Sequence, residues 1–259
     1  MKQTQRHIKI IQTLKNQGFI ATEQLVEQLK VSPQTIRRDL NLLAENNQIQ
    51  RHHGGASLLG NSVVNDSYAN RKIKHQAEKQ QIAHQLAAHI ANGSSLFLDI
   101  GTTAETIAQA LLKHRDLRVV TNNIHVAKLL MGNSDFEVLL AGGVVRSRDG
   151  GIVGEATIDF IRQFRLDYGI VTVSGIDLDG SLLDFDYHEV RITQAIIANS
   201  RTVILAADHS KFGRNAMINI GNIAQVDHFY TDRALPQDIA SIVQKENIQL
   251  RLCPALNSL

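Results

Sequence analysis

Cysteine, proline and tryptophan are scarce in this chain: its 259 residues include one cysteine, three prolines and no tryptophan. With Cys253 alone, a disulfide framework and a cysteine-based zinc site are excluded, and we expect this residue to be a small part of the core. No stretch reaches the roughly 18 apolar residues of a membrane helix. The N-terminal sequence MKQTQRH lacks the apolar segment of a signal peptide. We therefore expect a soluble, cytoplasmic protein.

A strong net charge is also missing, because the formal charge at pH 7 is only +2. The charge is nevertheless uneven: residues 1–59 hold eight Lys and Arg against four Asp and Glu, a local +4 that leaves −2 for the remainder. Hydrophobic residues make up 43 % of the chain, which is enough for an ordered core. A basic first fifth on a mildly acidic body indicates that one end binds an anionic polymer.

Apolar residues at helical spacing predict three short helices within residues 1–45. We expect Thr22 to cap the second helix and Ser32 to cap the third, which has Pro33 in its first turn. This third helix leaves polar side chains on its outer face: Gln34, Thr35, Arg37, Arg38 and Asn41. Arginine matches the major-groove edge of guanine and glutamine that of adenine, so the pattern is typical of a recognition helix.

Two short segments after these helices, 49–52 and 56–58, flank His53-Gly54-Gly55 and predict a β-hairpin wing. The sequence therefore predicts a winged helix-turn-helix DNA-binding domain over residues 1–58. Its expected DNA contacts are Ser32, Gln34, Thr35, Arg37, Arg38, Asn41, Arg51 and His52, with the last two on phosphate. The alternative is an ordinary three-helix bundle with solvated arginines. The capped helix, the basic excess and the wing together favour DNA binding.

Residues 59–70 are polar and without periodicity, which predicts a linker. From residue 71 onward we expect one helix over 71–90 and then alternating strands and helices. Apolar strands such as 203–205, each followed by a helix, are typical of a mostly parallel sheet covered on both faces. The sequence thus predicts an α/β domain over residues 71–259.

Polar and glycine-rich segments cluster at the carboxyl ends of these predicted strands, where ligands of parallel sheets bind. One glycine at a strand end is explained by the backbone conformation of the turn. Six such polar or glycine-rich segments at the same edge of the sheet indicate a ligand-binding site. Hydroxyls, helix N–H groups, Lys and Arg suit a small phosphorylated metabolite. The expected effector ligands are Asp99, Gly101, Thr102, Thr103, Asn122, Gly142, Gly143, Arg146, Gly175, Asp177 and Lys211. Neither a P-loop nor a dinucleotide fingerprint is present.

Several histidines invite a catalytic or metal role that their spacing does not support. Asp208, His209 and Ser210 are contiguous, so their side chains diverge and cannot form a hydrolase triad. The adjacent histidines at 52 and 53 lack the spacing of zinc ligands. We expect His84 and His89 to be surface residues of a helix, and we predict no metal site and no cofactor.

Residues 22–58, with VSPQTIRRDL at 31–40 and RHHGGA at 51–56, resemble the DeoR family of bacterial transcription regulators. The second domain is similar to the sensor domain of that family through DIGTT at 99–103, AGG at 141–143 and DHSK at 208–211. The resemblance extends from about residue 3 to residue 253 and leaves the tail 254–259 unplaced. It implies a repressor and not an enzyme, acting on palindromic operator DNA as a homo-oligomer, with a tetramer expected.

Within the DeoR family, the segments 146–151, 185–191 and 209–217 resemble repressors of glycerol and glycerol-3-phosphate metabolism genes. This resemblance implies glycerol 3-phosphate as the small molecule that releases the protein from its operators. A DeoR-type repressor of another sugar-phosphate regulon is the nearest alternative.

The second domain also resembles ribose-5-phosphate isomerase, which makes a sugar-phosphate isomerase the enzymatic alternative. That chemistry uses a lysine and a carboxylate base, yet residues 181–200 contain no lysine and Gln194 stands where the carboxylate is expected. An amide cannot accept the proton. The sequence therefore favours a sensor of phosphorylated metabolites over a catalyst.

Overall fold

The computed structural model describes residues 2–17, 19–46, 48–52, 54–58 and 65–254. Its first part has three helices and three short strands: α1 Gln3–Gln17, β1 Phe19–Ala21, α2 Thr22–Leu29, α3 Pro33–Glu45, β2 Ile49–His52 and β3 Gly55–Leu58. The strands pair antiparallel in the order β1-β3-β2. Nine buried apolar side chains from α1–α3 and the strands form a core of their own. This is the predicted winged helix-turn-helix.

Strand β1 was not predicted, and it corrects the predicted start of α2. Ala21 pairs with Gly55, so the chain stays extended to residue 21 and the helix begins at Thr22. Ala21 is therefore the N-cap, and the Gln24 side chain accepts a hydrogen bond from its N–H at 3.3 Å. Thr22 is the first helical residue and not the cap.

The second part contains a seven-stranded sheet in the order β15-β14-β12-β9-β4-β5-β6, in which every pair is parallel. The bounds are α4 Tyr68–Ile73, α5 Gln76–His89, β4 Ser95–Leu98, α6 Thr102–Leu111, β5 Arg118–Thr121, α7 Ile124–Leu130, β6 Glu137–Leu140, β7 Val144–Val145, β8 Ile152–Val153, α8 Glu155–Ile161, β9 Leu166–Val171, β10 Gly175–Ile176, β11 Ser181–Asp184, α9 Tyr187–Ala198, β12 Ser200–Ala206, β13 Ile218–Asn222, β14 His228–Thr231, α10 Gln237–Lys245 and β15 Gln249–Leu252. The predicted α/β class is confirmed.

Two small antiparallel sheets, β7-β8 and β10-β11-β13, accompany the large one, and the sequence did not predict them. Two clusters of buried apolar side chains pack on the sheet, and Cys253 is fully buried in one of them. The prediction that Cys253 is a core residue is confirmed. No described helix is long and apolar enough to cross a bilayer.

The predicted helix 71–90 is wrong in one respect, because the chain breaks between α4 and α5. Lys74 is extended and His75 adopts a left-handed conformation with φ of 53°. The buried Lys79 explains the break: its ammonium donates to the carbonyls of Arg71 and Lys74, the latter at 2.8 Å. Of the predicted linker, 59–64 lie outside the described residues, and 68–70 belong to α4.

Candidate functional site

The outer face of α3 carries the side chains that the sequence assigns to DNA. Ser32 caps the helix, accepting a hydrogen bond from the Thr35 N–H at 3.2 Å. Exposed side chains follow on one face: Gln34, Arg37, Arg38 and Asn41. The opposite face, with Ile36 and Leu40, is buried. A rigid capped helix therefore presents polar groups outward from its first turns.

Three guanidinium groups near this face pair with no carboxylate in the described part of the chain. Among the residues that the structure describes, Arg37, Arg38 and Arg51 form no ion pair, and the Arg51 Nη1 atom is buried without a hydrogen-bond acceptor. Burial, with Arg37 nearby, lowers the pKa of Arg51. Phosphate groups would supply the missing negative charge. The backbone of His52 pairs with Gly55 at the wing tip, while the His52 side chain and all of His53 lie outside the description.

A cavity of about 810 Å³ lies at the carboxyl ends of the adjacent strands β12, β9 and β4. It is lined by five of the predicted effector ligands: Asp99, Gly101, Thr102, Thr103 and Lys211. Gly101 has φ of 137°, and a Cβ there would lie 2.7 Å from the Thr172 Oγ1 atom. Only glycine fits such a turn, which opens directly into the N-terminus of α6. Free N–H groups of a helix N-terminus attract anions.

One side of the cavity is cationic. The Lys211 ammonium has no hydrogen-bond or ion-pair partner among the described residues, although the residue is only partly exposed. Burial lowers the pKa of Lys211 to about 8. Lys79, which the sequence analysis missed, is buried and donates to the Thr102 Oγ1 atom at 3.0 Å, beneath the Gly101 turn. Arg71, Lys74 and Arg214 also line the cavity.

Five carboxylates line the cavity as well: Asp66, Asp99, Asp184, Glu189 and Asp208. Burial favours the neutral form of Asp208, but Lys211 and the Ser210 hydrogen bonds outweigh it and lower the pKa of Asp208 to about 2. The buried Asp208 Oδ2 atom has no hydrogen-bond donor within the described residues. Carboxylates accept hydrogen bonds from hydroxyls. Cations and carboxylates in one cavity suit a ligand with both a phosphate and hydroxyl groups.

Asp99 is fully enclosed, with hydrogen bonds from the Ile100 N–H at 2.7 Å and the Thr193 hydroxyl at 2.8 Å. Burial raises the pKa of Asp99 to about 7. In the unfolded chain an aspartate has a pKa of about 3.9, so the unfolded state loses this proton at a lower pH than the native state does. The free energy of unfolding therefore falls as the pH rises toward 7. Relative to an Asp99→Asn variant, we expect the wild-type free energy of unfolding to fall by about 2 kcal/mol between about pH 5.5 and 7.5. Thermal unfolding at both pH values measures this, and parallel pH profiles would contradict it.

Six predicted effector ligands do not line this cavity: Asn122, Gly142, Gly143, Arg146, Gly175 and Asp177. Asn122 donates to the Ile152 carbonyl at 3.2 Å, and Gly142 accepts from the Thr157 hydroxyl at 2.8 Å. These contacts hold the β7-β8 hairpin on the sheet. Gly175 lies in β10, and Asp177 lies in the turn to β11. Their role toward a ligand stays a prediction.

Arg146 is engaged by carboxylates. It contacts Asp149 at 2.7 Å, Asp186 at 3.0 Å and Glu189, of which Glu189 also lines the cavity. Burial, reinforced by Asp184, raises the pKa of Glu189 to about 8. Arg146 therefore joins the hairpin to α9 and is linked to the cavity through Glu189 and through Asp149, which also contacts the cavity residue Arg71 at 3.5 Å.

The histidines divide between core and surface. His209 is buried, and its Nδ1 atom lies 2.6 Å from the Asp232 carboxylate, 23 residues away in the sequence. His84 is exposed as expected. The surface prediction for His89 is wrong in part, because its ring packs against His228 at 4.7 Å between centroids and is half-buried.

The winged helix forms part of the cavity wall. Leu14 of α1 and Ser57 of β3 line it together with the sensor residues. Phe19 of β1 packs on the larger sensor core, and a Cβ on Gly213 would lie 3.3 Å from the Phe19 ring. A ligand in this cavity would therefore lie next to the winged helix.

Two solved structures of low sequence identity are similar to part of this chain. Ribose 5-phosphate isomerase A from Neisseria gonorrhoeae is 14% identical with a TM-score of 0.39, covering 54% of this chain and 55% of its own. The eIF2B delta subunit from Chaetomium thermophilum is 12% identical with a TM-score of 0.46, covering 77% and 64%.

Curated relatives match over nearly the full length. The glycerol-3-phosphate regulon repressor of Escherichia coli is 60% identical over 253 residues, covering 98% of this chain and 100% of its own. The Haemophilus influenzae protein of that name is 51% identical, covering 98% of both chains. The Escherichia coli repressor CsqR is 39% identical, covering 95% and 94%.

Family models agree with the two parts of the fold. The DeoR-like helix-turn-helix domain matches residues 6–61, and the DeoR C terminal sensor domain matches residues 74–233. The winged helix and the sensor sheet thus correspond to the two modules of one family, and this chain belongs to the DeoR family of DNA-binding transcription regulators.

Proposed function

We propose that the protein represses genes of glycerol and glycerol-3-phosphate metabolism and leaves its operators when glycerol 3-phosphate binds. The identity to glycerol-3-phosphate regulon repressors over nearly the whole chain supports the regulon. The cavity is the observation that supports the choice of effector. It combines Lys211, the N-terminus of α6 and carboxylates, and residues of the winged helix form part of its wall.

The residue at position 194 also favours a sensor over an isomerase. The side-chain amide of Gln194, which the sequence analysis aligned with the isomerase base, donates to the Ile220 carbonyl at 2.9 Å. It is not a proton acceptor. We propose a homo-oligomer, with a tetramer expected, whose symmetry matches palindromic operators in the cytoplasm.

Fluorescence anisotropy on a palindromic promoter fragment of a glycerol-utilisation gene tests this function. At fixed salt, we expect specific binding that glycerol 3-phosphate reverses, while fructose 6-phosphate and ribose 5-phosphate do not. Release by one of the other phosphates would assign a different regulon. The absence of specific DNA binding would overturn the proposal.

Substitution of Arg38 tests whether α3 is the recognition helix. It is exposed on α3 with no ion-pair partner among the described residues, so its loss leaves the fold unchanged. We expect Arg38→Ala to weaken operator binding by about 10- to 100-fold, because a bidentate base contact contributes about 1–3 kcal/mol. Anisotropy on operator and on scrambled DNA measures the effect. Arg162→Ala, which removes an exposed sensor arginine, is the control, and equal operator affinity of the two variants would refute this role.

A further inference from the structure

The turn formed by residues 211–214 contacts three parts of the molecule at once. Lys211 faces the cavity, and Gly213 packs against Phe19 of the winged helix. Arg214 lines the cavity and holds Asn65, the first described residue after the wing. This turn therefore links the ligand site to both the DNA-reading part and the segment that connects it to the sensor.

Arg214 is held by neutral groups. Its Nη1 atom donates to the Ser174 carbonyl at 3.0 Å, and its Nη2 atom donates to the Asn65 Oδ1 atom at 2.8 Å. The guanidinium also lies over the Phe185 ring, 5.1 Å from the centroid. No carboxylate of the described residues is within 4.0 Å of it. A phosphate offers a guanidinium two charge-assisted hydrogen bonds, which are about twice as strong as neutral ones.

Asn65 determines where the connection to the wing leaves the sensor. Its Nδ2 atom donates to the Ser174 hydroxyl at 3.3 Å, and the neighbouring Asp66 pairs with Lys74 at 3.0 Å. Only residues 59–64 separate it from the end of β3, a span of at most about 25 Å. Movement of Asn65 therefore changes the positions that the wing can occupy.

We propose that Arg214 is a further effector ligand and that Asn65 competes with the effector for it. A phosphate that takes the guanidinium breaks the Arg214–Asn65 hydrogen bond, and the wing's connection is released from the sensor. Effector binding and operator binding then oppose each other through one side chain. This inference rests on the proposed function, because it requires an anionic effector in the cavity.

Two substitutions of Asn65 test the competition in opposite directions. Asn65→Ala removes the competitor, so we expect glycerol 3-phosphate affinity to rise about 10-fold and operator affinity without effector to fall. Asn65→Asp gives Arg214 a carboxylate, so effector affinity falls and more effector is needed for release. Calorimetric titration of the full chain and operator anisotropy measure both quantities. Asn70→Ala, an exposed position on α4, is the control.

Opposite shifts from one position cannot arise from partial unfolding and would support the competition. If both Asn65 variants match Asn70→Ala, or change operator binding without changing effector affinity, Asn65 is only a tether and the inference is overturned. If wild type binds none of glycerol 3-phosphate, fructose 6-phosphate and ribose 5-phosphate, the proposed effector fails first, and the inference fails with it. The wild-type titration thus distinguishes the two failures.

Discussion

Replacing Lys211 with alanine raises the glycerol 3-phosphate concentration that releases operator DNA by about 10- to 100-fold, while operator affinity without effector is unchanged. Lys211 is a cavity ammonium without a partner among the described residues, and a hydrogen bond to a charged group contributes about 1.5–3 kcal/mol. Anisotropy titrations with increasing effector measure the shift. Lys113→Ala, an exposed lysine just beyond α6, is the control.

The same lysine predicts a pH dependence in the wild type. Because the pKa of Lys211 is lowered to about 8, the ammonium is lost as the pH rises through that value. Effector affinity therefore decreases between about pH 7 and 9. The decrease is smaller in Lys211→Ala, where the Glu189 carboxyl, whose pKa is about 8, still gains negative charge in this range. A normal effector response of the variant would make Lys211 a structural residue and displace the proposed site.

Replacing Asp39 with alanine destabilises the winged helix by about 3–5 kcal/mol and abolishes operator binding. The buried Asp39 carboxylate on α3 accepts hydrogen bonds from Arg6 at 2.6 and 3.1 Å and from Gln3 at 3.2 Å, and lies 3.2 Å from the His7 ring. It thereby fixes α1 on α3. Breaking a buried ion pair by removing one partner carries a penalty of this size.

Hydrogen exchange followed by mass spectrometry locates that effect. Peptides from α1 and α3 are expected to lose protection in Asp39→Ala, while peptides from the large parallel sheet keep theirs, since that sheet has a buried cluster separate from the core of the winged helix. Glu45→Ala removes an exposed carboxylate from the same helix and serves as control. Unchanged protection of α1 in Asp39→Ala would show that this carboxylate does not hold the helices together.

The sequence predicted correctly those elements whose ends are specified by residues close by in the chain. Ser32 and Pro33 specify the start of α3 within the chain itself, and the predicted cap is present. Strand β1 escaped prediction because its three residues extend only where they pair with β3. The break at His75 was not predicted for a related reason: it depends on Lys79 of α5, whose ammonium donates to a carbonyl at the end of α4.

The same limit of sequence-based prediction applies to the residues that line the cavity. Gly101 and Lys211 stand at strand ends, where the sequence marks them. Lys79 lies within a predicted helix, and Arg214 lies past a turn, so no local pattern connects them to Thr102 or Asn65. Nor could the sequence show that three carboxylates surround Arg146, because Asp186 and Glu189 are some 40 residues away.

The pairing of β4 with β9 also sets the order in which the chain becomes functional during synthesis. Leu96 pairs with Tyr168, 72 residues later, whereas every strand of the winged helix is complete by residue 58. Local contacts form before distant ones, and the N-terminal part leaves the ribosome first. A nascent protomer therefore gains its DNA-reading surface while its sheet still lacks a central strand. Until translation has passed the 211–214 turn, such a chain has no means of sensing a metabolite.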